Sequence, residues 1–284
     1  MAIERIHSSD VQLFINDQRV PAVDSLALAS SKEVTDIGRL GVAHITERML
    51  NANQSTRIDI GINLTTGNTG VSPFYAPQQM QSGFLSTGKF DFKVKDKAGV
   101  TTISGGSLTS YSLDGSVGEI VKGKTTYEGD GAIFTSVGAL TAADASTDTF
   151  GGFFRPCNIR ITSTTNGDEG IDTTSLNIQS FSLSVAVAKN SVTRLGTRVP
   201  LFRYPEMPSN GSLDFTVIKT KVTGLNISSL ICQSGEINID LRDDGGASVM
   251  NFTTSGCCLE TVDESPTLDD NTEINFSYYF PIIR

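Results

Sequence analysis

Ile58-Asp59-Ile60-Gly61-Ile62 is followed, 155 residues later, by Leu213-Asp214-Phe215-Thr216-Val217. Two more segments match at the same offset without a gap. Ser25-Leu26-Ala27-Leu28 faces Ser180-Phe181-Ser182-Leu183, and Arg39-Leu40-Gly41 faces Arg194-Leu195-Gly196. A further block, Gly88 to Asp96, faces Gly235 to Asp243 at an offset of 147. The change of offset makes the intervening loop, about Thr65 to Thr87, eight residues longer in the first half. A triplet and two strand patterns held in one register point to an internal duplication, which has to be read before any fold is assigned.

Working outward, the matched segments alternate apolar and polar residues. Leu26 and Leu28 share a face, as do Ile58, Ile60 and Ile62; Phe90, Phe92 and Val94; Ile237, Ile239 and Leu241; and Ile274, Phe276, Tyr278 and Phe280. Period two puts the apolar set on one face of a strand, the signature of antiparallel sheets over a core. Val11 to Ile15, followed by Asn16-Asp17, reads as the first arm of a hairpin. Asn158-Ile159-Arg160-Ile161 is its counterpart. The expectation is a mostly β protein with two tandem homologous β-sandwich or barrel domains. These cover residues 1–130 and 156–284, joined by a linker over 131–155 rich in Ala, Thr, Gly and Asp.

Gly41 to Gln54 has the composition of a helix, but its partner, Thr197 to Ser209, carries Pro200, Pro205 and Pro208. Each proline inside a helix costs about 3 kcal/mol, so both copies are expected to be extended here. A short flanking helix is expected at Ser31 to Ile37, where Ser31 can cap and Glu33 sits in the first turn.

Composition narrows the function. The 284 residues include 31 serines, 31 threonines and 27 glycines, no tryptophan, and a net charge of −9. Residues 1–130 carry 12 basic and 14 acidic groups; residues 131–284 carry 10 and 17. No cluster of Lys and Arg is present to displace counterions from nucleic acid. Lys93, Lys95 and Lys97 alternate along one strand and read as its solvent face. No stretch approaches the roughly 20 apolar residues of a membrane span. The N-terminal residues lack the apolar core of a secretory signal, so a cytoplasmic origin is expected.

No motif carries catalysis: there is no G-x-S-x-G, H-E-x-x-H, P-loop or strand-linked G-x-G-x-x-G. An enzyme is not expected, and no cofactor or metal. His7 and His44 read as ordinary histidines. Asp243-Asp244-Gly245-Gly246 reads as a hairpin turn, because its equivalent, Asp96-Lys97-Ala98-Gly99, puts a lysine where a ligand would stand. Glu264, Asp269, Asp270 and Glu273 read as a solvated run without calcium-loop spacing. Cys157, Cys232, Cys257 and Cys258 lack zinc spacing. They read either as inert thiols or as candidates for cross-links formed on assembly.

With catalysis unsupported, one resemblance stands out. Ser182-Leu183-Ser184-Val185-Ala186-Val187-Ala188-Lys189-Asn190, then Arg194 to Pro200, then Pro208 to Phe215, resembles tail tube proteins of long-tailed bacteriophages. Arg39-Leu40-Gly41 and Ile58-Asp59-Ile60 carry a fainter likeness in the first half. The resemblance implies a β-sandwich with a short flanking helix. It also implies trimeric rings with pseudo-sixfold symmetry for duplicated members, stacked into a hollow tube through which DNA is delivered. The partners it implies are other copies of the chain, then sheath, tape measure, baseplate and tail terminator proteins. The implied location is the virion, assembled in the host cytoplasm. Arg39, Leu40, Gly41, Arg194, Leu195 and Gly196 become candidate interface residues. Pro73, Phe74, Tyr75 and Pro77 mark a candidate inter-ring loop. An acidic lumen, repelling phosphates without binding them, is expected. The alternatives are a baseplate hub or tube-initiator ring on the same fold, and a carbohydrate-binding sandwich, which the absence of tryptophan weighs against.

Overall fold

The computed structural model describes residues 11–38, 45–65, 89–96, 99–129, 133–136, 152–155, 158–164, 177–195, 200–218, 235–265 and 272–282. The protein is mostly β, and among the described residues there is no α-helix. The first half contains β1 (Gln12–Ile15), β2 (Gln18–Val20), β3 (Val23–Gly38), β4 (Ile45–Asn63), β5 (Phe90–Lys95), β6 (Val100–Ser116) and β7 (Lys122–Gly129). These are followed by β8 (Ile133–Ser136). The second half contains β9 (Ile159–Thr164), β10 (Asn177–Ala186), β11 (Lys189–Val192), β12 (Phe202–Pro205), β13 (Ser209–Ile218), β14 (Gly235–Arg242), β15 (Ser248–Ser265) and β16 (Glu273–Ile282).

Alternation fixes which side chains enter the core. Ile58, Ile60 and Ile62 are buried on β4, as are Leu213, Phe215 and Val217 on β13. The expected β1–β2 hairpin is present. Asn16 and Asp17 take positive φ values of 51° and 65°, the left-handed pair that a two-residue turn matching strand twist needs. The Asp243 turn is also present: the Asp243 carboxylate accepts from Ala247 N at 2.8 Å, and Asp96 accepts likewise from Gly99 N at 2.8 Å.

The matched segments pair alike. Leu26 pairs with Ile60 and Leu28 with Ile58; at the 155 offset Phe181 pairs with Phe215 and Leu183 with Leu213. Ile58 faces Tyr127, and Leu213 faces Tyr278. Even the bulges recur: β6 slips between Leu108 and Ser110, and β15 slips between Leu259 and Thr261. The strand orders that result are β1-β5-β6-β7-β4-β3 and β9-β14-β15-β16-β13-β10.

Residues 45–54 are extended within β4, as the prolines of the second half require. Residues 41–44 lie outside the described set. The helix expected at Ser31 to Ile37 is not formed, because these residues continue β3. The Ser31 hydroxyl bonds Ser55 Oγ across the ladder at 2.6 Å instead of capping. Lys32 pairs with Gln54 and, after a register shift, Val34 to Ile37 pair with Leu50 to Glu47, so a continued ladder outweighs a local capping signal. The second half carries the same arm: Lys189, Asn190, Ser191 and Val192 pair with Pro205, Tyr204, Arg203 and Phe202. Subtracting 155 gives the observed pairs of Val34, Thr35, Asp36 and Ile37 with Leu50, Met49, Arg48 and Glu47.

Within the segment read as a linker, 131–155, β8 adds to β6, and Phe154 is fully buried. One apolar cluster runs through both halves, and Tyr111 of β6 stacks on Phe252 of β15 at 6.3 Å between centroids.

Candidate assembly surface

The halves meet through one strand pair. The distal part of β6, Ser110 to Ser116, carries β7 on one side and β10 on the other, with Leu113 opposite Leu183 and Gly115 opposite Phe181. The junction needs glycine at 115, since a Cβ there would lie 2.4 Å from the Phe181 ring. Phe181 is 5% exposed and Leu183 is 2% exposed beneath it.

Each partner in that junction has a repeat equivalent. The distal part of β15, Thr261 to Ser265, matches Ser110 to Asp114 and pairs with β16 on one side. β3 matches β10, and its recorded partner is β4. Among the described strands neither edge has a second neighbour. Leu28, which matches Leu183, is 37% exposed. Among the described strands the sheet order therefore ends on distal β15 and β3, the register equivalents of β6 and β10.

The opposite face of this sheet is polar and repeats too. Asp59 accepts from Thr126 Oγ1 at 2.6 Å, and Asp214 accepts from Ser277 Oγ at 2.5 Å. The two aspartates, matched at the 155 offset, lie on the same polar face. Partial burial pushes the Asp59 carboxyl up. Hydrogen bonds from Arg57 and Thr126, with the charges of Arg57 and Lys124, outweigh it and hold the group below the usual aspartate value. Asp114 accepts from Ser182 Oγ at 2.6 Å across the junction. A cavity of about 490 Å³ opens there, lined by Asp114, Lys122, Ser182, Asp214, Asn275 and Ser277 among others. Of its three carboxylates, Asp114 and Asp214 are engaged by neighbouring hydroxyls and Glu119 is exposed, so the lining is anionic.

A second contact links the halves. The arm formed by β11 and β12 crosses the end of β6 and β7. Arg203, 7% exposed, reaches Glu128 at 3.0 Å, and Val187 N donates to Thr109 O. Burial, with the charge of Arg203, lowers the Lys189 ammonium to about 8.

Of the residues singled out from sequence, Arg194 and Leu195 lie just past β11 near the arm tip, and Leu195 is fully exposed. Arg39, Leu40, Gly41, Gly196, Pro73, Phe74, Tyr75, Pro77, Cys157 and Cys232 lie outside the described residues. Cys257 and Cys258 are free thiols. Cys257 is buried beside the Thr254 hydroxyl at 3.0 Å, and burial pushes its thiol up, which disfavours the reactive thiolate. Cys258 is half-buried. Among the described residues no group of three or more His, Cys, Asp or Glu is placed to hold a metal ion. Sequence reasoning missed the distal part of β15. Its signal was a third offset, 151, relating Leu108 and Tyr127 to Leu259 and Tyr278. No protein-family model and no curated protein matches this chain.

Proposed function

We propose that this chain is a structural protein built from two tandem copies of one β-sandwich domain, and that its copies join edge to edge into closed rings. The observation that carries this reading is the junction of β6 with β10. Its repeat equivalents, distal β15 and β3, stand at the two ends of the chain's sheet with Leu28 uncovered. Open edges are a hazard that closure removes. Repeating one heterologous contact closes a ring when its rotation divides the circle. Three chains supply six domains, the pseudo-sixfold ring that the resemblance to duplicated tail tube proteins implies.

The polar face lines the lumen in this reading. The discrete outer layers, β1-β5 and β9-β14, pack on the apolar face and need the larger radius. Asp59, Asp114, Asp214 and Asp263 then outnumber Arg57, Lys122 and Lys124 on the lining, where Glu128 is paired with Arg203. Such a surface passes DNA without gripping it. Stacked rings make the hollow tail tube of a phage virion. Sheath, tape measure, baseplate and terminator proteins are its partners by the same resemblance.

Negative-stain microscopy of the purified protein tests this. The expected result is hollow tubes, or rings of three chains. Single particles of one chain at every concentration would falsify it.

A further inference from the structure

The arm of the second half has a defined seat on the first half. Ser107, Thr109 and Thr126 are buried, Val187 just before β11 donates its N–H to Thr109 O, and Glu128 holds Arg203 of β12. Adding 151 to those positions gives Cys258, Glu260, Ser277 and Tyr279. This second patch is less buried: Glu260 is exposed, Tyr279 is 38% exposed, and Cys258 and Ser277 are half-buried. The first half has an arm of the same register, formed by β3 and β4. Arg48 stands opposite Asp36 as Arg203 stands opposite Ser191.

We infer that the β3–β4 arm of one chain docks on the Cys258, Glu260, Ser277 and Tyr279 patch of a second copy. The inference rests on the ring reading above and adds a second contact at each seam. The occupant is another copy of this chain because the seated arm inside the chain supplies both the geometry and the register. Charge agrees with it: Arg48 takes the place of Arg203, and the exposed Glu260 carboxylate lies in the patch. The two seats are not identical. Tyr279 replaces Glu128, so the register place that holds the carboxylate in the first seat holds a phenol in the second. The seam inside the chain is therefore the tighter one. β15 adds to that inequality, since Glu264 takes the register place of the buried Leu113.

The test uses the full chain. Sedimentation velocity over a concentration series compares the wild type with Arg48→Glu and Tyr279→Glu. An exposed or half-exposed pair changes an association constant about twofold to fivefold. The Arg48→Glu variant is expected to associate more weakly by that factor. Tyr279→Glu, which recreates the Arg203–Glu128 pairing between chains, is expected to associate more tightly. Oxidation of an Arg48→Cys/Tyr279→Cys chain, with the bridge located by peptide mass spectrometry, keeps the test independent of those shifts. A bridge between chains supports the docking. Rings that form normally without that bridge, and whose association ignores both substitutions, overturn the arm seat and leave the ring reading standing. If the wild type forms no oligomer, both fall.

Discussion

Leu28 and Leu183 hold equivalent places, yet one is 37% exposed and the other 2% exposed. Truncating each to alanine separates folding from assembly. Leu183→Ala removes three carbons beneath β6 and leaves a cavity, which costs about 3 kcal/mol or more of chain stability. Leu28→Ala removes the same carbons from a site open on one side. Its full transfer value is about 2.4 kcal/mol at ~0.8 kcal/mol per methylene, of which the covered part, about 1.5 kcal/mol, is felt by the single chain. The remainder, about 0.9 kcal/mol, is realised only when a second chain covers the edge. That is about a fivefold change in association constant per seam, and about a hundredfold for closing a ring of three. Urea unfolding at low protein concentration reads the first quantity, and sedimentation velocity reads the second. Leu183→Ala should unfold much earlier than Leu28→Ala, and Leu28→Ala should lose assembly out of proportion to its stability. Equal destabilisation of the chain by both substitutions, with assembly of Leu28→Ala unchanged, would show that β3 is not a subunit edge.

Three further outcomes are expected. Gly115→Ala places a methyl group 2.4 Å from the Phe181 ring, and overpacking at the junction should cost about 1–3 kcal/mol, read by thermal unfolding. The Tyr278 hydroxyl is buried without a hydrogen-bond partner among the described residues, so Tyr278→Phe should stabilise the chain by about 1 kcal/mol; a loss of that size would mean the hydroxyl is satisfied. Lys189 is a base whose folded pKa, about 8, lies below its ordinary 10.5. Between those values the unfolded chain binds more protons, so stability should rise as pH increases from about 8. Above pH 10 it should fall, because burial pushes the Tyr127 and Tyr278 hydroxyls up and the folded chain resists losing their protons. Lys189→Met should therefore stabilise the chain at pH 7 by up to about 3 kcal/mol and lose that advantage as pH approaches 10.5. A chemical-denaturation series from pH 6 to 11 checks both arms.

The matched segments and their alternation determined much of this from sequence alone. The 155 offset anticipated that Leu26, Leu28, Phe181 and Leu183 occupy matching strand places. It placed Asp59 and Asp214 on the same face. It also excluded a helix over residues 45–54 through prolines that stand only in the other copy. These inferences hold because strand period and proline chemistry are local, and one copy constrains the other. The Ser31 capping signal is local as well and misled, because the pairing with β4 that extends β3 is a long-range choice among strands. Only the tertiary structure decided that β6 carries β7 on one side and β10 on the other, and that distal β15 and β3 have one neighbour each there among the described strands. Backbone donors and acceptors point both ways from every strand, so sequence can mark a residue as apolar on one face. Which strand lies alongside is settled by the packing of the whole sheet.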